Sequence, residues 1–279
     1  MGLLQLFNLP RLCTALLVLF VIFLPLEKLF AIRPQKVFRK GWLTDVTHFL
    51  VNEGLRKILL AVTLLLLTQA LSFLVSPSLQ GWIKTWPFWV QCVTAIVIND
   101  IGGYWGHRWT HSVPFLWRFH AVHHSSEHMD WLAAARVHPV DQTFIRTCGV
   151  LPVYLLGFQK EHFAVLLLFS GFLAIFVHAN VKWRYGWLEW LIATPPFHHW
   201  HHTNDGKQYI NKNFSGLLPW VDKLFGTLYL PKDKLPDTYG IDQPMAQSYL
   251  GQLAQPMVGT KKPNAVTGGN LPPQPVASS

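Results

Sequence analysis

Long apolar stretches alternate with short polar, basic or proline-bearing breaks along most of the chain. Residues 12–32 (LCTALLVLFVIFLPLEKLFAI) are long enough to cross a bilayer, with Pro25, Glu27 and Lys28 interrupting the end. Residues 56–76 (RKILLAVTLLLLTQALSFLVS) form the clearest spanning segment, and a short loop with Pro77 and Gly81 follows. A third segment, about 86–105, returns the chain. Residues 143–158 and 162–180 are two further apolar runs parted by Lys160 and Glu161, the pattern of a hairpin that spans or re-enters. The pattern predicts an all-α integral membrane protein with about four to five transmembrane or re-entrant helices.

The polar breaks set the orientation. Arg33, Lys36, Arg39, Lys40, Arg56 and Lys57 crowd into the first loop, which the positive-inside rule places in the cytoplasm. A cleaved signal peptide is the alternative for residues 12–32, since Arg11 precedes the apolar core and Ala31 is small. Cleavage would export the basic loop, so a retained anchor is expected. Residues 125–141 (SSEHMDWLAAARVHPVD) read as one or two helices near the membrane surface. From about 235 the composition turns to Pro, Gln, Gly, Asn and Ser, which predicts a disordered tail. Three regions result: an N-terminal anchor (1–85), a main domain (86–234) and the tail (235–279).

Composition agrees with a membrane protein: 51% of residues are hydrophobic and the mean hydropathy is +0.24. The net charge of +9 does not indicate nucleic acid, because the basic residues sit between apolar segments and form no recognition motif. Cys13, Cys92 and Cys148 all fall in apolar stretches, which excludes a disulfide framework and a four-cysteine iron–sulfur site.

The chemistry is concentrated in histidine. Residues 107–124 (HRWTHSVPFLWRFHAVHH) carry His107, His111, His120, His123 and His124, and residues 198–202 (HHWHH) carry His198, His199, His201 and His202. Each neutral imidazole must place one donor and one acceptor, so packing alone does not account for such an array. A metal site does. On a helix His107 and His111 share a face, and the pattern H-x-x-H-H at 120/123/124 and again at 198/201/202 lets each triplet serve two metals. His178 is a ninth candidate, and the topology brings all nine to the cytoplasmic side. His199 points elsewhere on its helix and is expected outside the ligand set. His138 reads as a structural or gating residue, His128 as a surface or supporting group, and His48 and His162 as surface or interfacial residues.

Imidazole alone leaves zinc, iron, copper and nickel open. No Glu-x-x-His pair is evident, and Asp100, Glu127, Asp130, Asp141, Glu189 and Asp205 are placed to orient rings rather than to ligate. Trp117, Trp183, Trp187 and Trp190 are candidates for a lipid entrance, the remaining tryptophans for an interfacial belt.

The ordered set H-x3-H, H-x2-H-H, His178 near Asn180, and a second H-x2-H-H resembles the fatty acid hydroxylase superfamily, also called the sterol desaturase family. Asp100, Tyr104 and His107–Arg108 resemble its first block; Arg136, His138 and Pro139 its middle segment; Asn213, Phe214, Gly216 and DKLFGT (222–227) its closing signature. The resemblance covers about residues 88–230. Val221 parts Trp220 from Asp222 where members often have Trp directly before Asp, and Ser215 stands where many have Gly.

The resemblance implies a non-haem di-iron enzyme that uses O2 and two electrons to hydroxylate or desaturate a lipid C–H bond. Its metal ligands would be His107, His111, His120, His123, His124, His178, His198, His201 and His202, with zinc a possible substitute for iron. Asp100, Arg136, His138, Asn180, His199 and Asp222 would support the ligands or gate the substrate. Electrons would come from a separate cytoplasmic donor: a ferredoxin, a cytochrome b5 or a reductase. A bacterial inner membrane is favoured over the endoplasmic reticulum. The competing readings are a metal transporter or sensor, which would hold its ligands near the bilayer midplane, and a non-catalytic lipid-binding homologue.

Overall fold

A computed structural model describes residues 8–258. Among them are ten α-helices, three short 3-10 helices and no β-sheet; the only bridge joins Thr203 to Tyr239. The all-α expectation holds for these residues.

Helix α1 (Leu9–Leu29) begins where the Asn8 side chain accepts a hydrogen bond from the backbone N–H of Arg11, and Pro10 occupies the first turn. It is the one described helix long and apolar enough to cross a membrane, and a signal sequence or a buried core helix passes the same test. Leu17, Val18 and Val21 are exposed, whereas Phe23 is buried and stacks on Trp131 at 6.0 Å. Helix α2 (Trp42–Ala70) ends at Ala70, so any membrane-length window ending there takes in Glu53, Arg56 and Lys57. The short α3 (Pro77–Lys84) leads to α4 (Phe88–Ser112), which carries Gln91, Asn99 and Asp100 within its apolar part. These polar groups are why α2 and α4 are not picked out by the same test of length and apolar composition.

Helix α4 is held tightly against α6 (Pro139–Leu155) by small residues. A Cβ added to Gly102 would lie 2.2 Å from the Cys148 carbonyl oxygen, and one on Gly149 would lie 2.7 Å from that of Asn99. Backbones this close leave no room for any side chain at these positions. Between them run α5 (Pro114–His124), begun by Pro114 directly after α4, and a 3-10 turn at Trp131–Ala135. Helix α7 (Lys160–Phe176) is followed by a 3-10 turn at Gly186–Trp190 and the short α8 (Pro195–His201) and α9 (Pro219–Leu224).

The main apolar core joins Tyr104, Leu173, Phe197, Phe214, Leu217 and Val221. A buried ionic chain ties the N-terminal region to the middle of the protein: Arg39 pairs with Asp130 and with Asp45, and Asp45 pairs with Arg136. Gly41, at φ 83°, lies beneath this chain, where a Cβ would meet the Arg136 guanidinium at 2.4 Å.

Residues 235–258 depart from the expected disorder. Helix α10 (Tyr249–Val258) packs on α2 and α5. The Tyr249 hydroxyl donates to Asn52, and the His48 Nε2–H donates to the Gln252 side-chain oxygen at 2.8 Å. The polar composition suggested a solvated tail because these polar groups find partners only on distant helices. The rest of that tail, residues 259–279, lies outside the described residues. His48 and His162 also differ from expectation, as both are fully buried; His162 accepts a bond from the Gln159 N–H at the start of α7.

Candidate metal centre

Helix spacing brings the nine candidate histidines into two adjacent groups. One ring nitrogen from each of His107, His111, His120, His124 and His201 forms the first, and His123, His178, His198 and His202 form the second; within each group the nitrogens lie within 4.8 Å of one another. Each H-x-x-H-H triplet divides. His120 and His124, one turn apart on α5, face the first group while His123 faces the second; His198 and His202 face the second while His201 faces the first. His107 and His111 come from the last turns of α4, and His178 follows the end of α7. The two groups touch where His124 stacks on His202 at 4.3 Å.

Hydrogen bonds at Nδ1 fix which nitrogen points inward. The Nδ1–H of His107 donates to the Phe214 carbonyl (2.7 Å), that of His120 to Asp141 (3.0 Å), that of His123 to the Arg136 carbonyl (3.0 Å), that of His178 to the Ala174 carbonyl (2.7 Å) and that of His201 to the Lys212 carbonyl (2.9 Å). The His111 Nδ1–H donates to Asn211 (3.1 Å). Since each Nδ1 carries the proton, each of these Nε2 atoms presents a lone pair. Those lone pairs face one another: His107 and His120 at 3.1 Å, and His123 and His178 at 3.3 Å. The His111 Nε2 is buried with no partner among the described residues. Two facing lone pairs repel, and a cation between them removes the conflict. Separations of 3.0–3.3 Å suit neighbouring donors around an ion with bonds of about 2.1 Å. The donor set therefore fits two metal ions.

Burial, reinforced by neighbouring imidazoles, holds His124, His198, His201 and His202 well below the ordinary imidazole range. The rings are thus neutral and able to ligate at physiological pH. Burial also pushes the Asp141 carboxyl up to about 6, opposed by the nearby histidines.

One loop orients three of the rings. Asn211, Lys212 and Phe214 supply acceptors from a segment in which Asn211 and Asn213 both have φ 59°, a left-handed backbone that asparagine tolerates. Two carboxylates hold this loop. Asp222 accepts from the N–H groups of Phe214 and Ser215 and from the Thr227 hydroxyl, and Asp100 accepts from the N–H groups of Gly216, Leu217 and Leu218. Asn213 closes the same loop through the carbonyls of Phe197 and Tyr229.

The other supporting candidates are placed as follows. Arg136 offers its carbonyl to His123 and its guanidinium to Asp45. His138 caps α6 by accepting from the Val140 N–H, and its Nε2–H donates to the Leu253 carbonyl. Asn180 clasps the chain after α1 through the backbone of Ile32 and Arg33. His199 uses both nitrogens away from the two groups, donating to the Ala179 carbonyl and accepting from the Tyr239 hydroxyl. Trp117 packs on His111 and His124, while Trp187 and Trp190 are exposed.

Both histidine groups open onto one cavity of about 210 Å³, with apolar walls from Ala134, Val137, Ile145, Ala174 and Val177. Sequence reasoning missed Asn211, Tyr239 and Arg146, which also lines this cavity. Tyr239 lay in the supposed tail. An arginine within an apolar run was a usable signal, since a charge buried among apolar residues is costly unless it is paired.

Comparison with known proteins gives a consistent grouping. Residues 92–227 match the fatty acid hydroxylase family model. An ornithine lipid hydroxylase from Rhizobium tropici is 33% identical over 258 residues, covering 90% of this chain and 75% of that protein. Alkylglycerol monooxygenase from Danio rerio is 34% identical over 164 residues, which is 59% of this chain but 35% of that protein. A Delta(7)-sterol 5(6)-desaturase from Gibberella zeae is 29% identical over 152 residues, 52% of this chain and 44% of that protein. No solved structure is a significant match.

Proposed function

The chain belongs to the fatty acid hydroxylase family, and from that premise we propose that it is a membrane-bound, O2-dependent oxidoreductase that hydroxylates a C–H bond of a lipid. Its nine histidines hold two irons, with zinc a possible substitute. The observation that carries the reading is the convergence of Nε2 lone pairs in two adjacent groups on one largely apolar cavity. Hydroxylation is preferred to desaturation because a relative matched over 90% of this chain is a hydroxylase.

The irons, when bound, supply a reducible centre that activates O2. The protein's own residues do the rest. Asp141 keeps the proton of His120 on Nδ1, and the loop held by Asp100 and Asp222 does the same for His107 through Phe214, so that the rings present fixed lone pairs. The apolar walls exclude water from the reacting C–H bond and admit a lipid chain. Four to five spanning or re-entrant helices, with the histidines on the cytoplasmic side, would place the cavity within reach of the bilayer and of a separate electron donor. Residues 86–234 form the catalytic domain and residues 1–85 its membrane anchor.

Metal analysis of the detergent-purified protein from iron-supplemented cells tests this directly, with His123→Ala alongside. About two irons per chain, lost or halved in the variant, together with O2 consumption on addition of reductant and lipid extract, are expected. Zinc that persists after anaerobic iron loading, with no O2 consumption, would overturn the reading.

A further inference from the structure

Among the described residues, Arg146 is the only lysine or arginine lining the cavity that holds the histidines. It also lines an adjoining cavity of about 270 Å³ bounded by α1, α2 and α7, and Ala134, Gln142 and Ala174 are common to both. Its guanidinium has neither an ion pair nor a hydrogen bond among the described residues, although Glu53 attracts it, Arg56 repels it, and Asp100 and Asp141 line the same cavity. Each of those acids is committed elsewhere. Asp141 takes the His120 proton, Asp100 takes three backbone N–H groups, and Glu53 takes both Arg56 and Lys57. A partly buried guanidinium in an apolar run, with no acid of its own among the described residues and with Arg56 opposing the pull of Glu53, is costly unless something else neutralises it.

We propose that Arg146 binds an oxyanion, a carboxylate or a phosphate, at the polar end of the lipid substrate. This rests on the lipid-oxidase reading above and names the class of lipid. Gln142 lies one turn before Arg146 on the same face of α6 and adds an amide donor toward the same space. Arg146 is five residues beyond Asp141, an axial rise of about 7.5 Å, and Asp141 touches the histidine cluster. The anionic group is therefore held close to the metals, and the carbon presented to them lies near that end of the lipid, not at the far end of an acyl chain. The fork of a guanidinium suits either oxyanion, since both accept two parallel N–H bonds.

Binding is measured on the purified, iron-loaded full chain in neutral maltoside micelles, by quenching of tryptophan fluorescence with brominated lipids. The probes are dibromostearate, the corresponding alkyl phosphate, and dibromostearate methyl ester as the uncharged control. The wild type is expected to bind at least one anionic probe tenfold or more tighter than the ester, and the better of the two identifies the oxyanion. Arg146→Gln should abolish the preference while retaining iron content, and Arg146→Lys should retain part of it. Equal binding of all three probes by the wild type, or an undiminished preference in Arg146→Gln, would overturn the proposal. Because binding is read without turnover, a failure of this test is separable from a failure to oxidise lipid.

Discussion

The Asp141 carboxylate accepts the Nδ1–H of His120 at 3.0 Å, both side chains being buried, and so sets the direction of a candidate metal ligand from a different helix. Asparagine at 141 keeps an acceptor of the same size but removes the charge that raises ligand basicity. Losing such a partner weakens metal binding by about 10- to 100-fold. Chelator competition on purified Asp141→Asn should show a loss of that order, with helix content unchanged; wild-type affinity in the variant would mean that the contact is incidental.

Metal removal should destabilise the fold as well as abolish activity. Without cations, the Nε2 atoms of His107 and His120, and of His123 and His178, bring lone pairs together in buried surroundings. A ligand held at 100 times its dissociation constant stabilises by about 2.7 kcal/mol. Treatment with a strong chelator should therefore lower the thermal unfolding midpoint by several degrees, and restoring iron should recover it. A midpoint indifferent to chelation would remove the structural role assigned to the ions.

The contact between α4 and α6 leaves no space at Gly102, where a Cβ would come 2.2 Å from the Cys148 carbonyl oxygen. Gly102→Ala must push the helices apart, at a cost of about 1–3 kcal/mol, and separate His107 and His111 from Asp141. Gly81→Ala, in α3 with nothing within 4 Å, supplies the control, since alanine favours a helix by about 1 kcal/mol there. Melting curves and bound iron for the two variants should diverge, with only Gly102→Ala losing both.

His48 makes a pH prediction. Burial holds its imidazole below the ordinary range, opposed mainly by the bond to Gln252. The unfolded chain therefore takes up a proton from about pH 6.5 downward while the folded one resists it. Stability from this group is complete above that pH and falls as pH drops toward the depressed value. Comparing melting midpoints at pH 7.5 and 5, His48→Gln should lose less on acidification than the wild type; an identical loss would show that His48 contributes nothing to the slope.

The ligand candidates, and the capacity of each H-x-x-H-H triplet to serve two metals, were legible in the chain because helical spacing is local; which histidine joins which group came from the fold. One turn separates His107 from His111, His120 from His124 and His198 from His202, and the offset of three sends His123 and His201 to the opposite group. The all-α class was legible for the same reason. Tertiary structure alone decided what holds the rings. The acceptors for His120, His107 and His111 come from Asp141, Phe214 and Asn211, which lie 21, 107 and 100 residues away. No periodicity encodes such pairings, since they depend on how α4, α6 and the loop before α9 meet. The same holds for Tyr249 and Gln252, whose polar side chains read as solvated until Asn52 and His48 were placed beneath them. Arg146 is the converse case: its charge is plain in the sequence, and only the fold reveals that every nearby acid is already engaged. Short-range order follows from backbone geometry, whereas the partner of a buried polar group is settled by packing between elements distant in the chain.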